Sequence, residues 1–131
     1  MLDNARDIQS DVSAHSHAMS IPIGQVVEEL VDILGATTVA VIGGVKETRA
    51  VQQWCQGREP QRAHVLRFAL QLAQMIAGSA NHEFAVAWFH GSNPSVDDDV
   101  PMLMLANRPL SEVQAPLVRA ARAFATSQAT G

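Results

Sequence analysis

Apolar positions recur with a helical period along most of the chain. Ile23, Val26, Val27, Leu30, Val31 and Leu34 fall at i, i+3, i+4, i+7, i+8 and i+11, while Gln25, Glu28, Glu29 and Asp32 take the other face. This spacing predicts an amphipathic helix that opens at Ser20 or Ile21, carries Pro22 in its first turn and ends at Gly35. The next run, Ala36–Ile42, is rich in β-branched residues and could read as a strand. No second alternating run exists to pair with it, so a short helix ended by Gly43-Gly44 is expected. Lys46–Gln56 reads as a second short helix, stopped by Gly57 and Pro60.

Arg62–Gly78 is apolar around most of its circumference, with a narrow polar stripe of His64, Arg67, Gln71 and Gln74. Such a helix belongs at the centre of a domain or of a dimer interface, and a homo-oligomer built through residues 62–78 is expected. A shorter helix follows from Asn81 to Phe89, then a loop over His90–Asp99, a helical turn at Pro101–Ala106 and a final helix over Glu112–Ala125. Pro116 requires that last helix either to begin near Ala115 or to kink. Residues 1–19 show no clear apolar period and read as a flexible tail or a marginal helix. The fold class is therefore all-α, with a helix-turn-helix-like region at 20–79 and a small helical region at 80–131.

Composition narrows the class. The chain has 131 residues, 47% apolar and 17% charged, enough for one core without disulfides or a metal. Cys55 is the single cysteine, so no intrachain disulfide can form. No basic stretch followed by an apolar run opens the chain, and Val65–Ala77 is too short and too polar to span a bilayer. A cytoplasmic protein without membrane contact is expected. The net charge of −4 argues against broad, charge-driven nucleic-acid binding. Its distribution is uneven: residues 46–67 carry five bases and two acids, while the segments on either side are acidic.

That basic segment holds the candidate chemistry. On a helix over Lys46–Gln56, the residues Ala50, Val51, Trp54 and Cys55 point inward. Arg49, Gln52, Gln53 and Gln56 share the opposite face, and these residue types can make bidentate contacts to guanine and adenine edges. A short helix, a Gly-containing turn and a second short helix make a helix-turn-helix-like unit over Val39–Gly57. Lys46, Arg58 and Arg62 flank the face and could hold phosphates.

Catalytic and metal chemistry has less to stand on. Cys55 shares a face with Trp54 and has no His within helical reach, which suits an inert thiol. His15 and His17 lie two residues apart without a companion cysteine or carboxylate cluster. Asp97-Asp98-Asp99 lacks the spacing of a calcium loop and suits a solvated loop or a charge cluster before the Pro101–Ala106 turn. With no nucleophile, acid and base in one constellation, neither an enzyme nor a cofactor or metal site is expected.

The run Arg49-x-Val51-x-x-Trp54-x-x-Gly57-x-x-Pro60, followed by a long apolar helix, resembles the Xre/MbcA/ParS-like antitoxin family. The likeness continues through Ala87-Trp88-Phe89-x-x-x-Asn93-Pro94, Pro101-x-Leu103 and a terminal helix with Val113 and Leu117, covering about Val26–Phe124. The resemblance implies an all-helical, oligomeric antitoxin whose partner is a RES-domain toxin that destroys NAD. It further implies that the C-terminal region covers the toxin's active-site entrance, and that the helix-turn-helix part can bind the operon's own promoter. By position, Trp88, Phe89, Asn93, Pro94, Val113, Leu117, Arg119 and Arg122 would then serve toxin binding. Two departures stand out. The family's Leu-Gly-Gly- or Leu-Asp-Gly-like turn after Asn-Pro is Ser95-Val96-Asp97-Asp98-Asp99 here, and Pro116 interrupts the terminal helix. Two other readings are a regulator without a toxin partner and an orphan helical dimerisation module.

Overall fold

In the computed structural model, backbone is described for residues 2–78 and 81–130, and side chains for 11–78 and 81–127. The fold is all-α. The first element, α1 (Leu2–Ser20), occupies the segment expected as a flexible tail or marginal helix. α2 (Ile23–Leu34) follows, with Pro22 just ahead of it and Gly35 at φ 87° closing it. Val26, Val27, Leu30 and Leu34 form its buried stripe, as their spacing requires.

The β-branched run is helical, as α3 (Ala36–Gly43). Burial of Thr38, Val39, Ala40 and Ile42 outweighs the small helix penalty of branched side chains. The helix stops at Gly44, which takes a left-handed φ of 79°. The Gly44 N–H donates to the Val41 carbonyl and the Val45 N–H to the Ala40 carbonyl, the paired bonds of a Schellman ending. α4 (Thr48–Cys55) then begins after a short turn.

α5 (Ala63–Ala77) is the axis of the fold, and ten of its residues are buried. α1, α2, α3, α6 (His82–His90) and α8 (Leu110–Thr130) all pack against it. That enclosure corrects the expectation of a dimer through residues 62–78. The apolar circumference is covered by the chain's own helices, including Phe68, Leu70, Leu72 and Ile76, each no more than 1% exposed. A 3-10 turn (Pro94–Val96) and α7 (Pro101–Asn107) link α6 to α8.

α8 is continuous through the position of Pro116 and begins earlier than a proline start would allow. Pro116 has no N–H, so the Glu112 carbonyl lacks its usual intrahelical donor. The apolar core is one cluster shared by the 20–79 and 80–131 regions. No described helix is long and apolar enough to cross a membrane.

The polar stripe of α5 is a docking seam. Arg67 Nη1 donates to the Ala18 carbonyl at 3.0 Å and the Ile21 carbonyl at 2.7 Å, satisfying orphan carbonyls where α1 ends. Gln71 Oε1 lies 2.9 Å from His15 Nδ1, and Gln74 donates to Glu29 at 3.1 Å. Glu29 also holds His17 Nε2 at 2.8 Å. The two histidines thus tie α1 to its neighbours. Among the described residues no three His, Cys, Asp or Glu side chains gather around a common centre suited to a metal.

Candidate DNA-facing and partner-binding surfaces

The α3–α4 unit is set by close approaches at two glycines. A Cβ on Gly43 would lie 2.6 Å from the Trp54 ring, so the indole packs directly on the α3 backbone. A Cβ on Gly24 would lie 3.1 Å from the Cys55 carbonyl, where α2 crosses the end of α4. Val51 and Trp54 are buried. Cys55 is half-buried beside them, and burial, with the Glu28 carboxylate nearby, pushes its thiol above the usual range. A thiol held protonated in this way is a poor nucleophile at neutral pH.

The outward face matches the expected register. Arg49, Gln52 and Gln56 are exposed, and Lys46 stands exposed ahead of the helix. Gln53 is half-buried and accepts a 2.7 Å bond from Arg58 Nη1, which orders both side chains on the rim. Arg62 departs from its expected phosphate role. Its Nη1 donates to the Ile42 and Ala106 carbonyls at 2.9 and 3.1 Å, and its Nη2 to the Leu105 carbonyl at 2.7 Å. A half-buried guanidinium at the N-terminus of α5 therefore joins the C-terminal ends of α3 and α7, where helix carbonyls are otherwise unsatisfied.

The second surface lies between α6, the Asn93-Pro94 turn and α8. A groove of about 400 Å³ opens there, lined by Trp88, Asn93, Pro94, Ala120, Ala123 and Phe124 among others. Phe84 meets Phe124, one of the lining residues, in a tilted pair with ring centroids 6.2 Å apart. Of the residues expected at a partner interface, Pro94 and Arg119 are exposed, and Asn93 is half-buried. Arg122, also exposed, is held 2.7 Å from the Asp11 carboxylate of α1.

Phe89, Val113 and Leu117 are fully buried, which corrects their expected role as direct contacts. Their helical spacing aims them at the core rather than outward. Trp88 is 6% exposed, and its ring meets Phe89 edge-on at 5.1 Å. Among the described residues the buried Trp88 indole N–H meets no acceptor, which would cost about 1–3 kcal/mol.

Phe84, Ala120, Ala123 and Phe124 were not singled out from the sequence. The signal was present: Phe84 precedes Trp88 by four residues, and Ala120, Ala123, Phe124 and Ser127 share one stripe of α8. Alanine and serine carry no amphipathic signature, so the stripe reads as a neutral face.

The Asn-Pro turn is built from its own side chains. Asn93 Oδ1 accepts from the Ser95 N–H at 2.9 Å and caps the 3-10 turn. Asp97 and Asp98 take φ values of 58° and 62° in succession. The Asn93 N–H donates to the Asp99 carbonyl and the Asp98 N–H to the Asn93 carbonyl, closing the loop at 2.9 Å each. Asp99 then accepts from the Val100 N–H just ahead of α7. The aspartates thus serve the turn and the approach to a helix, as a solvated charge cluster would.

No family model matches the chain, and no curated protein or solved structure matches it either.

Proposed function

We propose that this chain is an antitoxin: its C-terminal half docks on and blocks a RES-type toxin that degrades NAD, and its α4 face contacts the operon's own promoter. The observation that carries this reading is the open groove between α6 and α8. It is lined by the largely buried Trp88 and by Asn93 and Pro94 from the family-like stretch, with Arg119 and Arg122 on the adjoining face of α8. The Asn-Pro turn adds support. The family's turn is Leu-Gly-Gly- or Leu-Asp-Gly-like and this chain departs from it with Ser95-Val96-Asp97-Asp98-Asp99, but Asp97 and Asp98 both adopt the left-handed conformation that glycine takes most easily. Aspartate is among the few residues that tolerate it, so the turn keeps its shape without glycine.

The decisive experiment pairs the chain with the RES-domain product of an adjacent gene. Co-expression restores growth and NAD levels, and the two chains co-purify. An Ala123→Arg substitution, which fills the groove from an exposed helical position, abolishes co-purification while the helical circular dichroism stays unchanged. A product that is harmless alone, or that does not co-purify with the native chain, sinks the reading.

A second reading, a DNA-binding regulator without a toxin partner, is favoured by the exposed α4 face. Among the described residues, the side chains of Lys46, Arg49, Gln52 and Gln56 form no hydrogen bond or ion pair, so none of those residues competes for them. Replacing Arg49, Gln52, Gln53 and Gln56 with Ala together abolishes promoter binding at a stated salt concentration, with unchanged helicity. Unaltered affinity rules this reading out.

A further inference from the structure

The α3–α4 turn backs onto a cavity whose rim, at Gln53 and Arg58, borders the α4 face. It has a volume of about 280 Å³ and lies between the turn, α4 and the start of α5. That places it just under the usual range of small-molecule sites, about 300–1,000 Å³. Its lining includes Gly44, Gln53, Trp54, Arg58, Glu59 and Arg62. The wall therefore combines an aromatic ring, an exposed turn backbone and two guanidinium groups.

The charges in that wall are unbalanced in one direction. Arg58 is held by the neutral Gln53 amide oxygen, and Arg62 by three carbonyl oxygens. Among the described residues neither arginine forms an ion pair with a carboxylate, and Glu59, although it lines the cavity, is exposed and within ion-pair distance of neither. A guanidinium recognises oxyanions through paired N–H donors, and a recess shields that contact from salt better than an open face does. The convex backbone of a DNA duplex brings phosphates to the rim of such a recess but does not fill it.

We propose that this cavity binds a small planar carboxylate, seated beside the Trp54 indole with its carboxylate on Arg58. The ligand would bridge the α3–α4 turn and the start of α5 and hold α4 at a fixed angle. This inference shares Gln53 and Arg58 with the proposed DNA-facing rim but does not rest on the toxin-binding groove, and its test involves no toxin.

The test uses the full chain and its two tryptophans, Trp54 and Trp88, as indole N–H reporters in two-dimensional NMR. Benzoate is titrated against sodium chloride of equal ionic strength, with inorganic phosphate and a short DNA duplex as separate arms. Benzoate is expected to move the Trp54 indole and the Gly44 amide saturably, at about millimolar affinity, and to leave Trp88 unmoved. Arg58→Gln weakens that binding roughly tenfold, and Ala50→Leu, which fills the same recess, removes it. Four results overturn the proposal: no saturable shift with benzoate, equal shifts at both tryptophans, an Arg58→Gln chain that binds as well as the native one, or the same saturable Trp54 and Gly44 shifts produced by phosphate or duplex in place of benzoate.

Discussion

The two flanks of α5 hold the molecule together by different chemistry. Towards α8, the contact is apolar: Val113, Leu117, Ala120 and Ala121 are buried in one stripe at i, i+4, i+7 and i+8. Towards α1, the buried side chains among its described residues are the small Ala14 and Ala18, and the specific contacts described are polar, made by Arg67, Gln71, His15 and the Glu29 cluster. Apolar burial is non-directional and scales with area, whereas a polar seam depends on each donor meeting its acceptor. The α8 flank should therefore carry more stability, and the α1 flank more of the positional specificity.

The largest expected effect tests the first half of that contrast. Leu117→Ala removes a fully buried side chain opposite α5 and leaves a cavity. A loss of about 2–4 kcal/mol is expected in urea unfolding. A loss under about 1 kcal/mol would mean that α8 contributes less to the core than its burial indicates. Because Leu117 lies inside, any failure of this variant to bind a partner would follow its unfolding curve. The Ala123→Arg variant separates the two, since it alters the groove without touching the core.

Arg67→Met breaks the polar flank at its centre. The side chain keeps its apolar stem but loses both bonds to the end of α1, for an expected cost of about 1.5–3 kcal/mol. The sharper readout is hydrogen exchange. Amides of α1 should lose protection while those of α8 keep theirs, as expected of a helix held by a few directional bonds. Uniform loss of protection across the chain would contradict the contrast.

The same contrast explains what was legible in the sequence. Apolar periodicity located α2 and α5 and most of α8, because a Val or Leu every third or fourth residue signals which way a helix faces. The stripe of Arg67, Gln71 and Gln74 was visible as a polar face, yet its partner was not. Among its described side chains α1 docks through alanines and histidines, which carry no apolar period, so residues 1–19 resembled a tail. Arg62 was misassigned for a related reason: on a sequence, a base beside a recognition helix looks like a phosphate contact. Only the chain path shows that three carbonyls from two helix ends converge on it. The groove walls were hidden because alanine and serine signal neither core nor surface.

Glu29→Gln makes a gentler cut in the polar flank. The carboxylate holds His17 at 2.8 Å and accepts from Gln74 at 3.1 Å, but the His17 side chain is 37% exposed. Solvent screening limits such a pair, and a loss of no more than about 1 kcal/mol is expected. A double-mutant cycle with His17→Ala checks it. Coupling above about 1.5 kcal/mol would show that the seam acts as one network rather than as separate bonds.

The smallest effect lies outside both flanks and has the opposite sign. Asp98 sits at φ 62°, where an L side chain is strained and glycine is not. Glycine removes that strain but adds freedom to the unfolded chain, and the two terms oppose each other. Aspartate tolerates the left-handed region better than most residues, so the net gain for Asp98→Gly should be slight, at most about 0.5 kcal/mol by thermal or urea unfolding. Alanine at the same position keeps the strain without the tolerant side chain and should lose about 1 kcal/mol. If glycine and alanine behave alike, the backbone at Asp98 is not what fixes the turn. The Asn93 cap and the Asn93–Asp99 bond would then hold the loop beside the groove by themselves.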